Sequence, residues 1–134
     1  MKALFADTFY YLALINQDDV AHRGAVDMSR RLRGRTISTA WVLTEVADAL
    51  AAPRHRGVFA TLLERLLADP NVTIVPPSQE LFERGVELYN DRPDKDWSLT
   101  DCISFVVMDQ RHLTDALTGD HHFEQAGFGV LLKR

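Results

Sequence analysis

The sequence lacks several features that mark specialised classes of protein. It has one cysteine, Cys102, which excludes an internal disulfide and fits a reducing cytosol. It also lacks an excess of positive charge, because 15 lysines and arginines stand against 19 aspartates and glutamates, for a net charge of −4. This charge excludes binding to nucleic acid by bulk electrostatic attraction, so any nucleic acid would need local basic patches or bound cations.

Long apolar runs are absent as well. No run reaches the roughly 18–20 apolar residues of a membrane span. The apolar start, "MKALFADTFYYLALIN", is interrupted by Asp7 and is followed by no small-residue cleavage site. The 46% of apolar residues among 134 positions suffice for one hydrophobic core and are too few to expect two. We therefore expect a single domain over residues 1–134 that is soluble, cytoplasmic and free of membrane contact.

Short apolar runs alternate with helical patterns along the chain. They predict strands at residues 3–6, 35–38, 71–75, 116–118 and 129–132, and helices at residues 8–16, 19–32, 39–52, 55–67, 78–90 and 98–111, with a short turn or helix from Phe123. The predicted inward residues of the fourth helix are Leu62, Leu63, Leu66 and Leu67, and those of the fifth are Leu81, Phe82, Val86 and Tyr89. Such alternation is typical of an α/β domain with a parallel sheet and helices on both faces.

Four carboxylates fall where such a sheet binds ligands, outside the carboxyl ends of the strands. Asp7 and Asp120 follow predicted strands, Asp101 lies in the first turn of the sixth predicted helix, and Glu45 lies in the second turn of the third. Two carboxylates about 4 Å apart repel by roughly 4 kcal/mol at an effective dielectric constant of 20. The four acids therefore stay ionised only beside a compensating charge, and their oxygen atoms are the ligands that Mg²⁺ or Mn²⁺ prefers.

Asp101 has a second interpretation within its own segment. Ser98 and Asp101 have the S-x-x-D spacing of a helix capping box, and an acid there also suits the positive end of the helix dipole. The coincidence of four acids at one sheet edge adds a metal role to the cap, and we expect Asp101 to serve both. A metal site of this kind can activate water and neutralise a phosphodiester, which suggests phosphodiester hydrolysis.

The segments around the four acids resemble the PIN-domain family of metal-dependent ribonucleases, especially the small bacterial members that include VapC-type toxins of toxin–antitoxin pairs. The segments are "LFADTFYYLALIN" with Asp7, "STAWVLTEVADAL" with Glu45, "WSLTDCISFVVM" with Asp101 and "DALTGDHHFEQAGF" with Asp120. They occur in the family's order and cover nearly the whole chain. The resemblance implies a three-layer α/β/α sandwich on a five-stranded parallel sheet.

The resemblance also implies an activity, the endonucleolytic cleavage of RNA with Mg²⁺ or Mn²⁺ as cofactor. Asp7 and Asp101 would be the principal metal ligands. Glu45 and Asp120 would hold and orient the water on the metal or a second cation, so all four acids are candidate catalytic and metal-binding residues. The implied partners are an RNA substrate, a second copy of the chain in a homodimer and, for a toxin, a cognate antitoxin protein. The apolar stretches at residues 9–14 and 59–67 are the candidate dimer surfaces.

Two other functions compete with this one. The first is a catalytically silent PIN-like module that binds RNA or a partner, and the complete set of four acids argues against it. The second is a phosphoacceptor receiver domain, which also carries carboxylates at a sheet edge. A receiver needs an acceptor aspartate at the end of a mid-chain strand, and the segment "NVTIVPP" supplies none.

The remaining polar residues receive simpler interpretations. His121 and His122 are not assigned to the metal site, because adjacent side chains on a turn usually diverge and no third ligand stands at a useful spacing. The basic residues at 30–35 and 54–56 suit helix ends electrostatically, and they could also hold RNA phosphates. The sequence does not place them relative to the acids.

Overall fold

The computed structural model describes residues 2–132. Its parallel sheet consists of β1 (Leu4–Ala6), β2 (Thr36–Thr39), β3 (Val72–Val75), β4 (Asp115–Leu117) and β5 (Gly129–Val130). The helices are α1 (Thr8–Ile15), α2 (His22–Arg31), α3 (Ala40–Ala49), α4 (Arg56–Ala68), α5 (Gln79–Asp91), α6 (Leu99–Gln110) and α7 (His121–Gln125), with a 3₁₀ turn at Pro53–His55. The predicted three-layer α/β/α fold with a five-stranded parallel sheet is confirmed. The first residue and the last two of the predicted domain lie outside the described range.

No helix within residues 2–132 combines the length and the apolar character that crossing a lipid bilayer requires. The longest helices, α4 and α5, have 13 residues each. At a rise of about 1.5 Å per residue they are roughly 20 Å long, well short of the hydrocarbon core of a bilayer.

The strand order β3-β2-β1-β4-β5 places β1 at the centre of the sheet. The chain builds outward from β1 through β2 to β3, and then places β4 on the other side of β1. This change of direction leaves a crevice at the carboxyl ends of β1 and β4, where α/β sheets bind ligands. Ala6 is paired with Leu117, so the residues that follow them, Asp7 and Thr118, emerge side by side.

An aromatic cluster ties the start of α6 to α7. Trp97 meets Phe105 edge to face with ring centroids 5.0 Å apart, and Phe105 meets Phe123 in the same way at 4.9 Å. Such pairs contribute roughly 0.5–1.5 kcal/mol each beyond the burial of their area. The packing fixes the two helix starts that carry Asp101 and Asp120.

The inward face of α5 differs from the prediction. Phe82 and Tyr89, which we expected in the core, are 45% and 52% exposed. The positions that face the core are Leu81, Gly85 and Leu88. Gly85 packs against the Ile103 side chain of α6, and the absence of a side chain at this position lets the two helices approach closely. The contact with α6 is centred on a glycine, which has no apolar side chain. The pattern of apolar residues alone therefore predicts the wrong inward face for α5.

Two further differences concern the ends of helices. Leu67 is 69% exposed, because it lies beside the last residue of α4 at the outer edge of the predicted leucine stripe. Helix α2 begins at His22, three residues later than predicted. The Asp19 side chain accepts a 2.8 Å hydrogen bond from the Ala21 N–H and so holds a turn in front of the helix.

Replacing Gly85 with alanine should destabilise the protein by about 1–3 kcal/mol, the usual effect of overpacking a tight core. An added Cβ atom would overlap the Ile103 side chain, so the α5–α6 contact must open. Gly24 in α2 is the matched control, because a Cβ atom there meets nothing within 4 Å. Alanine at Gly24 should stabilise the protein by about 0.5–1 kcal/mol. Urea unfolding measures both variants, and equal changes in the two would contradict the packing at Gly85.

Candidate active site

Asp7 lies at the carboxyl end of β1 and is buried, with 4% of its surface exposed. Its Oδ2 atom accepts a 2.8 Å hydrogen bond from Thr118 Oγ1, in the segment after β4. Burial raises the pKa of Asp7 to about 7; the Thr118 hydrogen bond opposes this rise, and the charges of Asp101 and Asp120 add to it. The ionised form of Asp7 is therefore unfavourable until a positive charge compensates it.

Asp101 caps α6 in the predicted manner. Its backbone N–H donates to Ser98 Oγ at 3.0 Å, and its Oδ2 accepts from the Ser98 N–H at 3.2 Å, which confirms the capping box. The same Oδ2 lies 3.0 Å from His122 Nδ1. Burial raises the pKa of Asp101, hydrogen bonds from His122 and Ser98 lower it, and the charge of Asp120 raises it again. The capping residue thus also belongs to the cluster of acids.

Asp120 is the N-cap of α7 and is partly exposed. Its Oδ1 accepts a 2.9 Å hydrogen bond from the His122 backbone N–H, and its own N–H donates to Thr118 Oγ1 at 3.1 Å. Thr118 therefore joins Asp7 to Asp120. The structure brings Asp7, Asp101 and Asp120 together from the ends of three separate elements, as the sheet-edge argument predicted.

Glu45 is connected to this cluster through Thr8. Thr8, which directly follows Asp7, donates its hydroxyl hydrogen to Glu45 Oε1 at 2.6 Å. Glu45 is partly buried in the second turn of α3, whose start is fixed by Thr39 as N-cap. Of the four predicted residues, Glu45 is thus joined to the cluster through the residue that follows Asp7.

His122 is the site residue that the sequence interpretation missed. Its Nδ1 lies 3.0 Å from Asp101 Oδ2 and 3.4 Å from Asp120 Oδ1, and its side chain is 19% exposed. The rings of His121 and His122 lie 4.5 Å apart, so the pair does not diverge as expected. The D-x-H spacing at a helix start could have indicated this. When the N-cap side chain binds the N–H of the second helical residue, that residue is held beside the cap.

The arginine-rich segment lies away from the acids. Arg35 directly precedes β2, and its carbonyl oxygen accepts a hydrogen bond from the Leu4 N–H. It therefore lies at the amino edge of the sheet, opposite the carboxyl edge that carries Asp7. Arg33 is held there by hydrogen bonds to backbone carbonyls of its own segment. An RNA bound at the acids would have to extend past the whole sheet to reach these side chains.

A polar cavity of about 570 Å³ adjoins the first turn of α6. Its lining includes Arg92, Lys95, Trp97 and Ser98, and Ser98 is the capping partner of Asp101. The Arg92 guanidinium lies 5.2 Å from the centroid of the Trp97 ring. The two basic side chains suit an anionic group such as a phosphate, whereas the Trp97 ring is 6% exposed and packs against Arg92 and Phe105. The sequence interpretation assigned no role to Arg92 or Trp97.

The model of the PIN-domain family matches residues 4–129, a range that includes all four predicted acids. The chain is similar to solved structures from three organisms. VapC20 of Mycobacterium tuberculosis, a toxin that cleaves the sarcin-ricin loop, is 23% identical with a TM-score of 0.85, over 93% of this chain and 95% of that chain. VapBC2 of Rickettsia felis, bound to a DNA fragment of its promoter, is 11% identical with a TM-score of 0.68 over 96% of each chain.

The third structure is a toxin–antitoxin complex from Klebsiella pneumoniae, 18% identical with a TM-score of 0.67 over 95% of this chain and 94% of that chain. At these identities the three likenesses establish the fold. Comparison with curated proteins gave no match. The family is therefore shown by the match of its model over most of the chain.

Proposed function

The chain belongs to the PIN-domain family, and on this premise we propose that it is a metal-dependent endoribonuclease that hydrolyses RNA phosphodiester bonds. The observation that carries the proposal is the convergence of Asp7, Asp101 and Asp120 at the switch point of the sheet. Glu45 completes a site of four carboxylates through its bond to Thr8. Membership of this family sets the receiver-domain interpretation aside.

The donor set fits a hard divalent cation such as Mg²⁺ or Mn²⁺. Asp7 is buried beside two further carboxylates, and within residues 2–132 the ion pairs of Asp101 and Asp120 are with histidines and not with lysine or arginine. Carboxylate oxygens are the ligands that these cations select. When bound, the cation supplies charge neutralisation at the phosphodiester and an activated water molecule.

The residues around the carboxylates hold them in position despite their mutual repulsion. Thr118 orients Asp7, Ser98 orients Asp101, and Thr8 orients Glu45, each through a hydrogen bond of 3.2 Å or less. Residues that hydrogen-bond to metal ligands in this way typically raise metal affinity or activity 10–100-fold. The burial of Asp7 also keeps water from one side of the site, where electrostatic interactions are correspondingly stronger.

Structured RNA is the substrate class that we propose for this site. The cavity beside α6 includes Ser98 of the capping box and offers Arg92 and Lys95 for phosphates. Both side chains pair with Asp94 in the free protein, and an RNA phosphate would replace that carboxylate. The similar toxin VapC20 cleaves the sarcin-ricin loop, which is consistent with this substrate class. The cavity supports RNA binding at the acidic edge, rather than on the arginines around residue 35.

We extend the proposal to a cytoplasmic toxin that a cognate antitoxin protein inhibits, because the similar structures include a toxin–antitoxin complex. The proposal includes a homodimer. An apolar cavity of about 720 Å³, lined by Leu14, Ile15, Val58, Leu62 and Leu66 among others, lies between the end of α1 and α4, within or beside the predicted stretches. The mass of the protein in solution, measured by light scattering, decides between monomer and dimer.

RNA cleavage by the purified wild-type protein should require Mg²⁺ or Mn²⁺ and should stop when EDTA is added, because the carboxylates cannot neutralise a phosphodiester by themselves. A fluorescent RNA stem–loop and a DNA of the same sequence, incubated with each metal and with EDTA, provide the measurement. RNA cleaved with metal and left intact in EDTA is the expected result. Binding of RNA without cleavage in either metal would instead support the catalytically silent module.

A further inference from the structure

Asp120, His121 and His122 bring three potential metal ligands to one point. Asp120 Oδ1 lies 3.7 Å from His121 Nδ1 and 3.4 Å from His122 Nδ1, and ligand atoms of all three residues lie within 4.8 Å of one another. A fourth atom, Asp101 Oδ2, is 3.0 Å from His122 Nδ1. These four residues occupy the start of α7 and the facing first turn of α6.

The separations are those of ligands that share one small dication. Zinc binds imidazole nitrogen and carboxylate oxygen at about 2.0–2.2 Å, so two ligands of a tetrahedral ion lie roughly 3.4 Å apart. The distances of 3.0, 3.4 and 3.7 Å around His122 and Asp120 scatter about this value. Asp120, His121 and His122 are thus close enough to share one ion, and Asp101, which contacts His122, would complete the set by a movement of its side chain.

The chemistry of the donors selects a different metal from the all-oxygen set. Imidazole suits Zn²⁺, Co²⁺ and Ni²⁺, whereas Mg²⁺ prefers carboxylate, carbonyl and water oxygens. Two imidazoles and two carboxylates are a set of four ligands that such borderline ions bind. The His121 side chain is 72% exposed, so an ion can reach the site from solvent.

We propose that Asp120, His121 and His122, with Asp101 as fourth ligand, bind a transition-metal dication such as Zn²⁺, and that this ion inhibits the nuclease. Inhibition follows because an ion held by the two histidines also engages Asp101 and Asp120, which the Mg²⁺ site needs. The inhibitory half rests on the proposed function, whereas the binding half does not. Since divalent affinity generally rises from Mn²⁺ towards Cu²⁺ and Zn²⁺ at such ligands, a low concentration of Zn²⁺ can compete with Mg²⁺.

Titration with Co²⁺ tests the binding half without RNA, since Co²⁺ bound through nitrogen in a tetrahedral site absorbs visible light strongly. The wild-type protein should show this absorption with one Co²⁺ per chain, and excess Zn²⁺ should abolish it. His121→Gln should weaken Co²⁺ binding by at least about tenfold, the lower end of the effect of losing a supporting residue at a metal site. His55→Gln, a change of the same type in the 3₁₀ turn, should bind Co²⁺ like the wild type.

Cleavage assays test the inhibitory half. Zn²⁺ added to the Mg²⁺-supported reaction should stop cleavage by the wild type and by His55→Gln, and His121→Gln should require at least about ten times more Zn²⁺. Inhibition of each variant is expressed relative to its own Mg²⁺-supported rate without Zn²⁺, because His121 adjoins Asp120. Co²⁺ binding that lacks strong visible absorption or is unaffected by His121→Gln would overturn the site. Binding by the histidines without inhibition would overturn only the inhibitory role, and an inactive protein that binds Co²⁺ as predicted would refute the nuclease alone.

Discussion

Replacing Asp7 with asparagine should reduce RNA cleavage by at least about 100-fold. Asp7 is the most buried of the four acids and lies at the centre of the sheet edge, beside Asp101 and Asp120. Asparagine keeps the shape of the side chain and an oxygen that can accept the Thr118 hydrogen bond, but it lacks the negative charge. Loss of a residue that orients a metal ligand already lowers metal affinity or activity 10–100-fold. Loss of a charged ligand itself should therefore reach at least the upper end of that range.

The first-order rate of cleavage of a fluorescent RNA, measured at saturating Mg²⁺, tests this expectation. Asp109→Asn is the control, because Asp109 is an exposed aspartate near the end of α6 and should leave the rate unchanged. Circular dichroism verifies that both variants are folded. An Asp7→Asn variant that cleaves within a few-fold of the wild type would remove Asp7 from the site.

The metal-free wild type should lose stability as the pH rises from about 4 to about 7, and Asp7→Asn should lose less, because it lacks the contribution of Asp7 and keeps that of Asp101. Burial raises the pKa of Asp7 from 3.8 to about 7 in the folded protein. Between these two values the folded state binds a proton that the unfolded state has released, so the free energy of unfolding falls with increasing pH. Between the two pKa values the free energy of unfolding falls by a total of about 4 kcal/mol, because it changes by about 1.4 kcal/mol per pH unit for each proton.

Urea unfolding in EDTA at several pH values measures this difference. Asp7→Asn and the wild type should be of similar stability near pH 4, and above pH 7 the variant should be the more stable by up to about 4 kcal/mol. Asp109→Asn should follow the wild type at every pH. A constant difference between Asp7→Asn and the wild type across this range would show that Asp7 ionises at an ordinary pKa. Adding Mg²⁺ at pH 8 should stabilise the wild type more than the variant, through mass action.

The fold was predictable because most strands are short apolar runs between helical patterns with clear ends, although β2, with the sequence TIST, has one apolar residue. The Ser98–Asp101 spacing, for example, identified the start of α6 to the residue. The face of α5 was not predictable in the same way. Helical periodicity locates apolar side chains, but the contact with α6 is centred on Gly85, which has no side chain to contribute to the pattern. Phe82 and Tyr89 were therefore placed in the core although they are exposed.

The candidate site also has features that the sequence predicts and features that it does not. The position of the acids follows from topology, because parallel strands end at one edge and the residues after them share it. The role of His122 depends on the direction of a side chain at the start of a five-residue helix, and spacing alone does not give that direction. Arg35 illustrates the converse, since a basic residue is a plausible RNA contact until the structure places it at the other edge of the sheet.

Binding of Mn²⁺ is the most direct test of the central claim, that Asp7 and the acids around it form a site for a divalent cation. The paramagnetic resonance signal of free Mn²⁺ disappears on binding and gives the dissociation constant without RNA or turnover. The account predicts that wild type and Asp109→Asn bind Mn²⁺ with equal affinity and that Asp7→Asn binds it at least about tenfold more weakly. Equal Mn²⁺ affinity in Asp7→Asn and the wild type would contradict the account.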